Sequence, residues 1–145
     1  MLRADRTETI AAAPDAVWAL IADVEGYGDW HPFFSEVEVL ERDGDDRVAR
    51  ARFAHHTSAV TLHSELRFSY VEGTAVRAQG KGRDLKSLAG AFELEPDGFG
   101  SALRHTLAVD PGLKLGLLLR GPVEERVRQG VLDGAFRGVR AKVGA

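Results

Sequence analysis

The chain has 145 residues, enough for one domain around one core, and its 44% hydrophobic and 28% charged residues are those of an ordinary globular protein. A net charge of −3 and a pI near 5.9 give no general electrostatic case for nucleic acid or anionic lipid as a partner. The absence of cysteine excludes disulfides, thiolate catalysis and Cys-ligated zinc or iron–sulfur centres.

Residues 3–11 read as a short strand with poor alternation, Arg3, Asp5 and Thr7 set against Ala4, Arg6 and Glu8. Ala13-Pro14-Asp15 opens a helix, since proline is tolerated in a first turn, where its missing N–H would be unpaired anyway. Val17, Trp18, Leu20, Ile21 and Val24 recur at helical spacing and mark its buried face, with Trp18 placed in the core. Gly26 and Gly28 stop it, and Trp30-His31-Pro32-Phe33-Phe34 follows as an aromatic loop in which the proline bars a further helix.

From residue 35 to residue 110 the period switches to two, with turn residues spaced as in an antiparallel meander. Residues 36–41 and 47–54 form a hairpin around Asp43-Gly44-Asp45-Asp46, with Gly44 expected at positive φ. On the strand 58–70, Val60, Leu62, Ser64, Leu66, Phe68 and Tyr70 face one way, while His63, Glu65 and Arg67 face solvent. Strands at 74–81, 87–95 and 101–110 follow; Leu88, Gly90, Phe92 and Leu94 share a face, as do Leu103, His105, Leu107 and Val109. Residues 113–143 read as helix broken at Gly121-Pro122, with a stripe of Val123, Val127, Val131, Ala135 and Val139. Gly130, Gly134 and Gly138 form a second stripe. Each costs a helix roughly 1 kcal/mol against alanine, so the stripe predicts close backbone approach or space left open. The whole chain, 1–145, reads as a single domain.

The run from Ala12 to Tyr27, with Trp30-His31-Pro32-Phe33-Phe34, Val37-Glu38-Val39-Leu40, Gly90-Ala91-Phe92-Glu93-Leu94 and a last helix after Pro111-Gly112, resembles the START-like, Bet v 1-like (SRPBCC) superfamily. Within it the resemblance is to the polyketide cyclase/dehydrase group. It implies an α+β helix-grip fold, in which a curved antiparallel sheet of about seven strands wraps a long C-terminal helix, with short helices after the first strand. It also implies a pocket between sheet and helix for a hydrophobic small molecule such as a lipid, polyketide or quinone.

The pocket expected from these faces is lined by Leu62, Ser64, Leu66 and Phe68, by Phe92, Leu103, His105 and Leu107, and by Val127 and Val131 of the last helix, with Trp30, Phe33 and Phe34 near its mouth. His105 interrupts an apolar face and, with Tyr70, is the candidate acid–base residue; the alternative is a core histidine bonded to a backbone carbonyl. His63, Glu65 and Arg67 fit cross-strand charge pairing, Arg50 and Arg52 point outward, and adjacent His55-His56 point oppositely and make no metal site. No phosphate, dinucleotide, nucleophile-elbow or zinc-protease motif occurs, so no cofactor is called for.

Three functions follow as expectations: carriage of a hydrophobic small molecule, aromatase/cyclase chemistry on a polyketide, or a quinone-chaperone or ribosome-associated interaction role. The protein is expected as a monomer or homodimer. No apolar run approaches the ~20 residues that cross a bilayer; the densest, 113–119, is interrupted by Lys114 and Gly116, and the charged start Met1-Leu2-Arg3-Ala4-Asp5-Arg6 is unlike a signal peptide. A cytoplasmic location is therefore expected.

Overall fold

A computed structural model describes residues 1–145. Strand β1 (Leu2–Ile10) leads into helix α1 (Pro14–Ala22) and a 3₁₀ turn (Val24–Asp29). The meander β2 (Ser35–Arg42), β3 (Val48–His56), β4 (Thr61–Val71), β5 (Ala75–Lys81), β6 (Ser87–Asp97) and β7 (Gly100–Asp110) follows, then α2 (Gly112–Gly116) and α3 (Pro122–Val143). All seven strands join one antiparallel sheet in the order β1-β7-β6-β5-β4-β3-β2. The sheet curves about the C-terminal helix in the helix-grip arrangement.

The period-two faces are the ones the sequence marks. Leu103, His105, Leu107 and Val109 are buried, and so are Leu88, Phe92 and Leu94 and, on β4, Leu62, Ser64 and Leu66. Arg50 and Arg52 face outward, toward Glu41, Glu65 and Glu38. The weak alternation of β1 has a physical cause. Arg6 and Glu8 lie on the side facing α3 because that helix offers polar partners, Asp133 and Gln129 for Arg6 and Arg140 for Glu8. β1 is held to α3 by charge at one end and by Leu2, Ala4 and Ile10 in the core.

Several boundaries differ from those expected. β3 runs to His56 instead of ending at residue 54, and β4 starts at Thr61 instead of 58, because Thr57 organises a turn whose hydroxyl accepts from the Ala59 and Val60 amides. In the β2–β3 turn the positive φ falls on Asp46 and not on Gly44, since the Asp43 carboxylate accepts from the Asp45 and Arg47 amides and sets the turn itself. Trp18 is only partly buried, its indole N–H donating to Glu72 and its ring beneath the Arg47 guanidinium.

The glycine stripe of α3 resolves into two behaviours. A Cβ on Gly134 would stand 2.5 Å from Pro32 Cγ, and one on Gly138 would stand 2.2 Å from the Trp30 carbonyl oxygen, so the helix rides directly on the aromatic loop. Gly130 meets nothing within 4 Å. Gly130→Ala should therefore stabilise the protein by roughly 1 kcal/mol, whereas Gly138→Ala should destabilise it by about 1–3 kcal/mol through overpacking. Urea denaturation of both variants checks this, and equal shifts would overturn the close-approach reading.

Candidate functional site

The concave face of the sheet is covered by α1, the 3₁₀ turn, the 30–34 loop and α3. The 27–34 segment is the central piece, and four of its aromatic side chains are buried: Tyr27, Trp30, Phe33 and Phe34. Trp30 lies 5.3 Å from Tyr27 and 5.8 Å from Phe92, centroid to centroid, and Tyr27 meets Phe34 edge-on at 5.7 Å. On the sheet side Phe92 stacks on His105 at 4.0 Å with 11° between the planes.

Two hydrogen-bonded chains pin this segment to the sheet, and geometry fixes their tautomers. The Phe33 amide donates to His31 Nδ1 (3.2 Å), so the His31 proton sits on Nε2 and is donated to His105 Nε2 (2.8 Å). His105 must then carry its proton on Nδ1, which donates to the Ala91 carbonyl (2.9 Å). In the second chain His55 Nδ1 donates to the Phe33 carbonyl (2.9 Å), which leaves Nε2 to accept from the Ser64 hydroxyl (2.5 Å). All three imidazoles are neutral and none has a free nitrogen. Burial pushes His105 and His55 down to about 4, each partly countered by its backbone carbonyl acceptor. Burial together with the neighbouring His105 and His55 holds His31 well below the usual histidine range.

Between segment and sheet remains a void of about 20 Å³, bordered chiefly by Tyr27, Phe34, Phe68, Phe92, His105 and Leu107. That is room for roughly one water molecule. The absent side chain of Gly90 makes space for Leu107, whose Cδ2 would lie 2.9 Å from a Cβ there. A broader depression of about 590 Å³ lies on the outer face of the sheet, among Arg3, Arg67 and Arg77, and is open to solvent.

The structure thus brings Phe34, Phe68, Phe92, His105 and Leu107 together at the void, with Trp30 one ring removed. Phe33 and Ser64 meet through His55 instead. Leu62, Leu66, Leu103, Val127 and Val131 are buried in the same core without bordering the void. Tyr70 is placed elsewhere: its hydroxyl donates to the Val48 carbonyl (2.6 Å), its ring lies under Arg47, and burial raises its pKa to about 12. His31 and His55 were not among the expected lining residues. His31 sits in a loop, where no periodicity operates, but His55 continues the alternation Ala51, Phe53, His55 and was legible once the strand ran past residue 54.

The family model described as "Polyketide cyclase / dehydrase and lipid transport" matches residues 1–144. The chain belongs to this family. No curated protein matches it. Among solved structures, a START superfamily protein from Mycobacterium smegmatis superposes with a TM-score of 0.82 at 18% identity, covering 99% of this chain and 98% of that one. A Thermus thermophilus protein gives 0.79 at 21% identity, covering 97% and 96%. The Zhui aromatase/cyclase from a Streptomyces species gives 0.63 at 19% identity, covering 98% and 91%. At these identities the likeness is one of fold.

The buried neutral histidines make a pH prediction. Each binds a proton less readily folded than unfolded, so as pH falls from 6.5 the unfolded chain takes up protons first and stability drops. The loss should run from about pH 6.5 to about pH 4 and reach on the order of 2–3 kcal/mol for each of His55 and His105. Urea midpoints measured between pH 7.5 and 4.5 check this; a flat profile would mean that the imidazoles are not buried as neutral groups.

Proposed function

We propose that this protein binds and carries a hydrophobic small molecule, admitted between the concave face of the sheet and the 27–34 segment. The observation that carries this reading is the cover over the void. It is an aromatic loop, fastened to the sheet side by the His31–His105 and His55–Phe33 hydrogen bonds. A loop can withdraw at lower cost than a strand or helix, because fewer backbone hydrogen bonds must break. A ligand of similar character would take the place of the loop's aromatics against the sheet, so the concave face itself need not be exposed to water. The family's description, which names lipid transport, agrees with this reading.

One feature favours a second reading, a cyclase acting on an enolisable polyketide. His105 borders the void, and withdrawal of His31 would release its Nε2 toward whatever enters. In the closed site, where burial holds it at about 4, His105 is a weak base. No cofactor is required in either case.

The test is native mass spectrometry of protein from its own host, followed by thermal shift against fatty acids, quinones and aromatic polyketides. Carriage predicts a stoichiometric apolar ligand, a raised melting temperature and binding that survives His105→Ala. Turnover of a polyketide that His105→Ala abolishes while binding persists would establish the cyclase instead. No copurified ligand and no shift with any compound would refute both and leave a protein partner. Phe34→Ala should cost about 3–5 kcal/mol of stability and be partly rescued by a small aromatic such as benzene filling the new space.

A further inference from the structure

The densest apolar run of the sequence is only partly spent on the core. Segment 113–120 joins β7 to α3 as an elbow between Gly112 (φ 83°) and Gly121 (φ 55°), two backbone conformations that L side chains rarely adopt. Leu119 is buried and Leu115 packs against the core, which anchors the elbow. Leu113, Leu117 and Leu118 are 88%, 56% and 54% exposed, together about two whole leucine side chains held in water. An exposed apolar cluster of this kind marks an interaction site.

The charges at this end decide the kind of partner. Lys114 and Arg120 flank the leucines within the elbow. Lys86 is held beside its base, its backbone N–H donating to the Asp110 carbonyl at 2.7 Å, and shares a surface depression with Lys81 and the half-exposed Met1. None of these four cations takes part in an ion pair, although most arginines of the sheet do. The nearby carboxylates keep their charge but have partners of their own: Asp110 accepts from the Gly112 amide, Asp84 from His63, and Glu124 and Glu125 from Arg128. At this end exposed leucines therefore stand among cations that no carboxylate pairs, although the chain as a whole carries −3.

We infer that the elbow is a docking surface for an anionic lipid bilayer, its leucines entering the interface and its lysines and arginine meeting the headgroups. Apolar side chains among unpaired cations match such a surface in both respects. A second copy of this chain fits less well. Two leucine equivalents fall far below the ~800 Å² per partner that a stable dimer buries, and a symmetric contact would set like charges against each other. The carriage reading gives this contact a purpose, the collection or delivery of an apolar ligand, but the two stand or fall separately.

The test is flotation of the full-length protein with unilamellar vesicles of phosphatidylcholine, with or without phosphatidylglycerol, at low and high salt. Cofractionation with the anionic vesicles is expected, weakened by salt. Lys114→Glu/Arg120→Glu and Leu117→Asp/Leu118→Asp should each reduce it by about tenfold or more. Circular dichroism confirms that the variants fold, and uptake of a short-chain fluorescent fatty acid from solution should be unchanged in them. As a gain-of-signal readout, the emission of Leu117→Trp should shift to the blue on anionic vesicles. No cofractionation and no blue shift would overturn the inference. So would binding indifferent to these substitutions, or a concentration-dependent dimer abolished by Leu117→Asp/Leu118→Asp in protein that ignores vesicles. Failure of fatty-acid uptake with vesicle binding intact would count against carriage alone.

Discussion

The hydrogen bond from His31 Nε2 to His105 Nε2 is the contact on which the site depends. It joins a loop to the middle of a sheet strand, and its direction is set from both ends, by the Phe33 amide on one side and the Ala91 carbonyl on the other. A proton added to either imidazole would put two donors face to face. The pair is therefore locked neutral, and that neutrality allows it to sit among Tyr27, Phe34 and Phe92 without an uncompensated buried charge.

The loop is held from two sides. Against the sheet stand His105 and His55; against α3 there is only backbone and proline, because Gly134 and Gly138 remove the side chains that would keep the helix away. An α3 with alanine at those positions would have to stand off, and the aromatic segment would lose its outer wall. The helix gives up about 1 kcal/mol of propensity at each glycine and gains contact with Trp30 and Pro32. The grip is consequently filled by the protein's own aromatics, and the residual space is that of a single water. The buried indole N–H of Trp30, which has no acceptor, shows that this filling is not perfect.

Most of the fold was legible because it rests on periodicity. The faces of β4, β6 and β7 follow from alternation alone and the α3 stripe from helical spacing, whereas the helix expected over 113–143 is helical only at Gly112–Gly116 and from Pro122 onward, with 117–121 a non-helical link. Local chemistry that competes with the pattern was less legible, such as the Asp43 carboxylate that moves positive φ from Gly44 to Asp46. The site was legible in part. Phe68, Phe92, His105 and Leu107 could be placed on one face, but a face does not reveal what fills the space above it. His31 reaches His105 across 74 positions of sequence from an irregular loop, and no pattern connects the two. Tyr70 shows the converse: its alternation is right, yet a strand-end hydroxyl found a backbone carbonyl nearby.

Whole-chain averages mislead for a related reason. Thirteen arginine–carboxylate contacts pair off much of the chain's charge, so the net value of −3 does not say where unpaired charge lies. At the sheet end beside α2 the acids hydrogen-bond to a turn, a histidine and an arginine, and none pairs with the lysines and Arg120 near leucines the core does not take. At the void the reverse holds: polar atoms of the three histidines and Ser64 are spent on one another and on backbone, so the surroundings of Phe92 behave as apolar although four of the nearby side chains are not. Both ends follow one rule, in which the properties presented to a partner are those remaining after internal pairing is complete. For this chain that remainder is an apolar interior covered by an aromatic loop and, at the surface, exposed leucines beside unpaired cations.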